Sequence, residues 1–157
     1  NGTYNIICFT IAFAMIPLAK KHSAKKLHFL SLSIGGIGLL CMPFLNDVDI
    51  LFTLPFGNGI NISQIYLFSF GLGITWASMM AMPYQMLASS IPQGKTGIYM
   101  GIFNMFIVVP MIIQIFSVQY LVYDLLDQNP IKIIRLAGIF LITGGLFSLF
   151  VSQPKKN

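Results

Sequence analysis

The chain has 157 residues, with 9 basic and 4 acidic side chains, a formal net charge of +5, 56% apolar residues and only 8% charged ones. A soluble domain carries about 25% charge, so these side chains are too few to cover a water-facing surface, whereas a bilayer accepts apolar groups. Nucleic-acid binding is excluded as well: the basic residues sit in short clusters between long uncharged runs, the pattern of flanks to membrane helices.

The chain opens Asn1-Gly2-Thr3-Tyr4. It shows no Met and no basic n-region, so no cleaved signal peptide is expected. This start reads as a cut into a longer chain. A spanning helix needs roughly 20 mostly apolar residues. Five spans are predicted: Tyr4–Ala19, Leu27–Leu45, Ile62–Ile91, Ile98–Tyr123 and Ile131–Val151. The expected class is an all-α integral membrane protein, one membrane domain over 1–157. A membrane barrel would instead show segments of about ten residues with alternating polarity.

The connection after the first span is Lys20-Lys21-His22-Ser23-Ala24-Lys25-Lys26. With alternating spans it shares one side with Lys95 and with Lys155 and Lys156 of the tail. The other side holds only Lys132 and Arg135, near the start of the fifth span. The excess of lysine puts the first side in the cytoplasm, with the N-terminus outside and the C-terminus inside. All four acids (Asp47, Asp49, Asp124, Asp127) fall on the outer side. Lys132 and Arg135 are expected to snorkel to the outer interface along their stems.

Cys8 and Cys41 lie in apolar runs without metal spacing and read as buried free thiols. His22 and His28 read as interfacial basic residues, too few for a zinc site. No metal, cofactor or catalytic residue is expected. The outer connection from Asn46 to Asn61 contains Leu51-Phe52-Thr53-Leu54-Pro55-Phe56, apolar enough to lie in the interface or pack on helix ends. Asn61-Ile62-Ser63 matches a glycosylation sequon, a pattern that occurs often by chance. Gly94-Lys95-Thr96 shares the end of a phosphate-binding loop, but Ser89 stands where that loop needs its first Gly.

The third and fourth spans carry the informative side chains. In the third, Gly71, Gly73, Ala77, Ser78 and Ala81 allow close helix approach, and Pro83 favours a kink. Trp76 and Tyr84 edge one broad face with Met80. Gln85 has an amide that lipid alone would not satisfy. The fourth span carries Tyr99, Asn104, Pro110 and Gln114, and the Asn104 amide needs a partner helix, water or a ligand. Gly97 and Gly101 form a small-xxx-small pair. Aromatic rings with amides in kinked membrane helices suit a neutral polar solute. A strongly ionic solute would require a countercharge, and no Asp, Glu or Lys interrupts the middle of a span.

Gly73-Ile74-Thr75-Trp76-Ala77-Ser78-Met79-Met80-Ala81-Met82-Pro83-Tyr84, then Ser89-Ser90-Ile91-Pro92, Gly97-Ile98-Tyr99-Met100-Gly101-Ile102-Phe103-Asn104 and Val108-Val109-Pro110-Met111-Ile112-Ile113, resembles the major facilitator superfamily. More narrowly it is similar to the sucrose-type sugar:proton symporters and their bacterial relatives. The resemblance implies the last five of twelve helices, a partial C-terminal six-helix half. It implies alternating access by rocking against an N-terminal half, driven by a coupling cation, proton or sodium, in the cell membrane. Carried over residue by residue, it nominates Trp76, Tyr84, Gln85 and Asn104 as solute-lining and Pro83 and Pro110 as helix-shaping. The first loop departs from the family by lacking an acid, which puts a gating salt bridge there in doubt. The competing expectation is a non-transporting helical subunit packed in a complex. An intramembrane enzyme lacks its mid-span acids and bases.

Overall fold

A computed structural model describes residues 2–46, 48–55, 59–88, 90–92 and 94–152. The protein is mostly helical. Helix α1 runs Gly2–Lys21, α2 Ala24–Cys41 with a 3-10 turn Met42–Phe44, α3 Tyr66–Ala88 and α4 Thr96–Ser117. A π-helical turn, Val118–Val122, and the short α5, Tyr123–Leu125, continue α4, and α6 is Pro130–Ser148. Among the described residues, three helices are long and apolar enough to cross a membrane: Ala24–Phe44, Thr96–Leu125 and Pro130–Ser148. The apolar part of α1, Asn5–Ala19, is shorter. Helix α3 has length enough with 23 residues, but Gly, Ser, Thr, Pro and Gln dilute its hydropathy.

The connection between α2 and α3 departs from the all-helical expectation. Strands β1 (Ile50–Leu54) and β2 (Ile60–Ser63) form an antiparallel hairpin, with Phe52 opposite Ile62 and Thr53 opposite Asn61. β-Branched and aromatic residues favour extended backbone, and Pro55 and Gly59, at φ +86°, supply turn chemistry. Pairing satisfies backbone groups that an interfacial loop would have left to water. It also moves the start of the third helix from Ile62 to Tyr66. Asn46 and Asp49 close the base of the hairpin: the Asp49 amide donates to Asn46 Oδ1 at 2.8 Å. Asn61 of the sequon lies in β2, where its Oδ1 accepts from Thr53 Oγ1 at 2.8 Å.

Helix α2 lies between α3 and α6, and α1 packs on the far side of α3. Glycines set the spacing. A methyl group at Gly35 would fall 1.9 Å from Thr75 Oγ1, and one at Gly36 would fall 2.7 Å from the Gly138 carbonyl oxygen. A methyl at Gly138 would meet the Gly36 carbonyl oxygen at 2.8 Å. Opposite α1, Gly73 leaves room for Ile7 and the Cys8 amide. The apolar core joins Met15 and Ala19 of α1, Ala24 of α2, and Ala77 and Met82 of α3. The expected pair Gly97 and Gly101 has nothing within 4 Å among the described residues, so it serves no helix contact there.

Helix α4 has no residue in the buried class. The start of α6 is specified locally. Asn129 caps it by accepting from the Ile131 amide at 2.9 Å, and Pro130 follows at the first turn, where its missing N–H costs nothing. Cys41 is exposed and Cys8 half-buried, both as free thiols, rather than both buried. Cys41 is the last residue of α2.

The glycine contacts predict an asymmetry. Gly36→Ala and Gly138→Ala should each destabilise the chain by about 1–3 kcal/mol through overpacking. Gly97→Ala and Gly101→Ala should be neutral or stabilising by up to ~1 kcal/mol, the helix-propensity gain. Unfolding of the micelle-solubilised chain, followed by circular dichroism, measures both sets. Equal losses in the two sets would refute the assigned packing.

Candidate functional site

Helix α3 presents three faces. Gly71, Thr75 and Ser78 meet α2, while Gly73 and Ala77 meet α1. The third face, Leu72, Trp76 and Met79, follows the spacing i, i+4, i+7 that aligns residues on a helix. It forms one wall of a cleft of about 660 Å³. Gln114, Val118 and Val122 of α4 and the π turn form the second wall. Ile133, Leu136, Phe140 and Leu141 of α6 form the third. Thr75 reaches the same space from the edge facing α2.

The lining has no charged side chain. Its polar groups are the Trp76 indole N–H, the Gln114 amide and the Thr75 hydroxyl. Trp76 is 43% exposed, so a broad part of its ring is open to an occupant. Thr75 is committed elsewhere, donating to the Ser31 carbonyl oxygen at 2.8 Å. The arrangement offers a ring face for stacking and an amide with donors and an acceptor.

The nominated residues divide between two places. Trp76 lines the cleft. Tyr84 lies two turns further along α3, about 12 Å by helical rise, and is half-buried. Its hydroxyl donates to Asn104 Oδ1 at 2.6 Å, and its ring meets the edge of Phe103 with centroids 5.1 Å apart. Tyr84 and Asn104 therefore satisfy each other and tie α3 to α4. Gln85 is exposed and does not line the cleft. Pro83 lies within α3 next to Tyr84, and Pro110 lies within α4 one turn before Gln114.

Three contributions were not nominated from sequence. Gln114 stood out as a mid-span amide, but nothing in a linear reading pairs it with Trp76. The α6 wall follows helical spacing, although every apolar helix face does the same. His28 is the larger correction. It is buried between helices at 8% exposure, and its Nδ1 lies 2.9 Å from the Oγ of Ser78, which is fully buried. Its signal was spacing, because His28, Ser31 and Gly35 share one face of α2.

At the other end of the helices, the expected snorkelling cations have protein partners. Lys132 forms an ion pair with Asp127. The Lys132 ammonium holds the Asp127 carboxyl below its usual range, first through the hydrogen bond and then through charge attraction. Arg135 lies over the Phe44 ring at 5.6 Å. Among the described residues no three His, Cys, Asp or Glu side chains gather where a metal could sit.

The Tyr84–Asn104 contact predicts coupled effects. Tyr84→Phe and Asn104→Ala should each cost about 1 kcal/mol. Together they should cost less than the sum, by about 0.5–1.5 kcal/mol. A double-mutant cycle on unfolding in micelles measures the coupling, and strict additivity would show the bond contributes nothing. No protein-family model, curated protein or solved structure matches this chain.

Proposed function

We propose that the chain is part of a secondary active transporter that takes up a sugar or similar neutral polar solute by alternating access. The observation that carries this reading is the uncharged cleft between α3, α4 and α6, edged by the Trp76 ring and the Gln114 amide. A sugar stacks its C–H face on an aromatic ring and bonds its hydroxyls to amides, and neither contact needs a countercharge. An ionic solute would find no partner among the lining side chains.

The surroundings of the cleft support movement. Helix α4 packs little on the other helices, and Pro110 interrupts its hydrogen-bond ladder. The π turn Val118–Val122 borders the cleft directly, and π turns mark functional segments of helices. The wall bearing Gln114 can thus shift relative to the wall bearing Trp76. On the major facilitator resemblance, the longer protein supplies an N-terminal half that closes the cleft, and a proton or sodium gradient drives the cycle. The reading sets the chain in the cell membrane as a multi-pass protein of five spans, with its N-terminus outside and C-terminus in the cytoplasm.

Trp76 is the single tryptophan of the chain, which makes its emission a direct probe. In lipid nanodiscs, titration with neutral mono- and disaccharides should shift that emission saturably. Gln114→Leu should weaken the apparent affinity at least tenfold, the cost of one lost hydrogen bond of about 1.4 kcal/mol. Sugar phosphates should give no saturable shift. A flat response across the neutral panel would overturn the reading in favour of a helical packing subunit with no solute of its own.

A further inference from the structure

The contact between α2 and α3 is lined by polar groups, of which Thr75 alone also borders the cleft. Ser31 Oγ donates to the Leu27 carbonyl oxygen at 2.9 Å, and Thr75 Oγ1 donates to the Ser31 carbonyl oxygen at 2.8 Å. These hydroxyls are paired, and none changes charge. The last pair in the row is different. His28 Nδ1 and Ser78 Oγ lie 2.9 Å apart, with the imidazole at 8% and the serine at 0% exposure. Histidine is the side chain whose charge changes with modest acidification.

We infer that His28 is a proton-binding site and that its charge state sets how tightly the first turns of α2 pack on α3. In the neutral ring one nitrogen carries a proton and the other accepts. Nδ1 then either accepts from Ser78 Oγ or donates to it, and a single bond joins the helices in both tautomers. A bound proton puts N–H on both nitrogens. Nδ1 must now donate, so the Ser78 hydroxyl turns its own proton elsewhere. The carbonyl of Ile74, one turn back on α3, is the acceptor that a helical serine commonly uses.

Rotation accommodates the bond but not the charge. The groups on the packed elements are all neutral or positive. Helix α3 offers no charged side chain, only Ser78 and, further along, the Tyr84 phenol. Helix α1 brings Lys21 at its end, and Cys8 further back. On α2 itself Lys25 and Lys26 lie within the preceding turn, and His22 precedes them. Lys25 Nζ donates to the Val151 carbonyl oxygen beyond the end of α6, at 3.2 Å. The other cations of α6, Lys132 and Arg135, are at its opposite end. Asp49, Asp124 and Asp127 also lie at that far end, and Asp47 follows the far end of α2 in sequence. Among the described residues no carboxylate lies at this end of the helices, whereas Lys25 and Lys26 stand within the preceding turn of α2. Protonation favours an arrangement in which α2 and α3 part at this end and water reaches the ring.

The consequence reaches the cleft without depending on what the cleft binds. Ser78 and Trp76 are two residues apart on α3, so a shift of α3 against α2 changes the surroundings of the indole. The contact is closed while His28 is neutral and loosens as the pH falls through its titration.

The chain has two histidines and one tryptophan, so each can be followed separately. Imidazole resonances of the 15N-labelled chain in nanodiscs, assigned with His22→Gln, would report His28 ionisation across an acid titration. Trp76 emission would be recorded in parallel, with no solute present. We expect an emission shift whose midpoint coincides with that of the His28 resonances. His28→Asn keeps a hydrogen-bonding group near the Nδ1 position and cannot titrate, so the shift should be lost. His22→Gln should leave it in place. Two results would overturn the proposal: an emission step that persists in His28→Asn, or His28 titration in the unaltered chain with no matching step. The second comparison does not need His28→Asn, so it stands even if that variant fails to fold. A failure of the saccharide titration leaves both outcomes readable.

Discussion

The approach of α2 to its two neighbours sets the rest of the architecture. Lipid tails are as apolar as leucine, so helices in a bilayer gain little from apolar contact alone and associate through close packing and hydrogen bonds. Here the packing uses glycine against backbone. Gly35 sits against Thr75, and Gly36 and Gly138 leave each other's carbonyl oxygens without room for a methyl group. The pairs His28–Ser78, Ser31–Thr75 and Gly35–Gly71 step along α2 and α3 in opposite directions at matching intervals. A single antiparallel register therefore satisfies both the steric contacts and the polar ones.

That register determines which side chains of α3 remain free. With one face against α2 and another against α1, the face carrying Leu72, Trp76 and Met79 points away from both and towards α4 and α6. Helix α4 lacks comparable contacts. It is mostly apolar, lacks buried residues, and is tied to α3 through Tyr84 and its neighbours Phe103 and Asn104. The cleft is the space left because α4 does not close onto the glycine-spaced core. One of its walls is the helix that carries Pro110 and runs into the π turn.

The buried polar groups of the α2–α3 contact follow the same logic, although Ser33 Oγ elsewhere on α2 is buried without a partner among the described residues. Inside an apolar surround, a hydroxyl or imidazole without a partner costs more than a bond returns. Ser31, Thr75, Ser78 and His28 are all buried, and each bonds across the α2–α3 contact or along its own helix. Interhelical bonds of this kind are worth about 0.6 kcal/mol on average in membrane helices. They are weak enough singly that one proton on His28 outweighs the bond it shares with Ser78.

Much of the helical outline was legible in the residues, because low charge and long apolar runs depend on composition along a line. The basic first connection, the small residues of α3 and the interest of Trp76 were legible for the same reason. The hairpin was not: Ile50–Leu54 and Ile60–Ser63 are short apolar stretches, and their pairing is a contact between strands, invisible in either alone. Tyr84 was nominated as an aromatic edge of one helix face and Asn104 as an amide needing a partner, but only the fold shows that they bond to each other, leaving Trp76 to the cleft with Gln114. His28 was misread because its neighbours in sequence are lysines of the basic connection, whereas its neighbour in space is Ser78, fifty residues on. The sequence by itself determined that this is a mostly helical chain too apolar for water, with small residues along its third long helix. Only the tertiary structure decided which polar groups meet, because helix register and the close approach of α2 to α3, not the order of residues, set those distances.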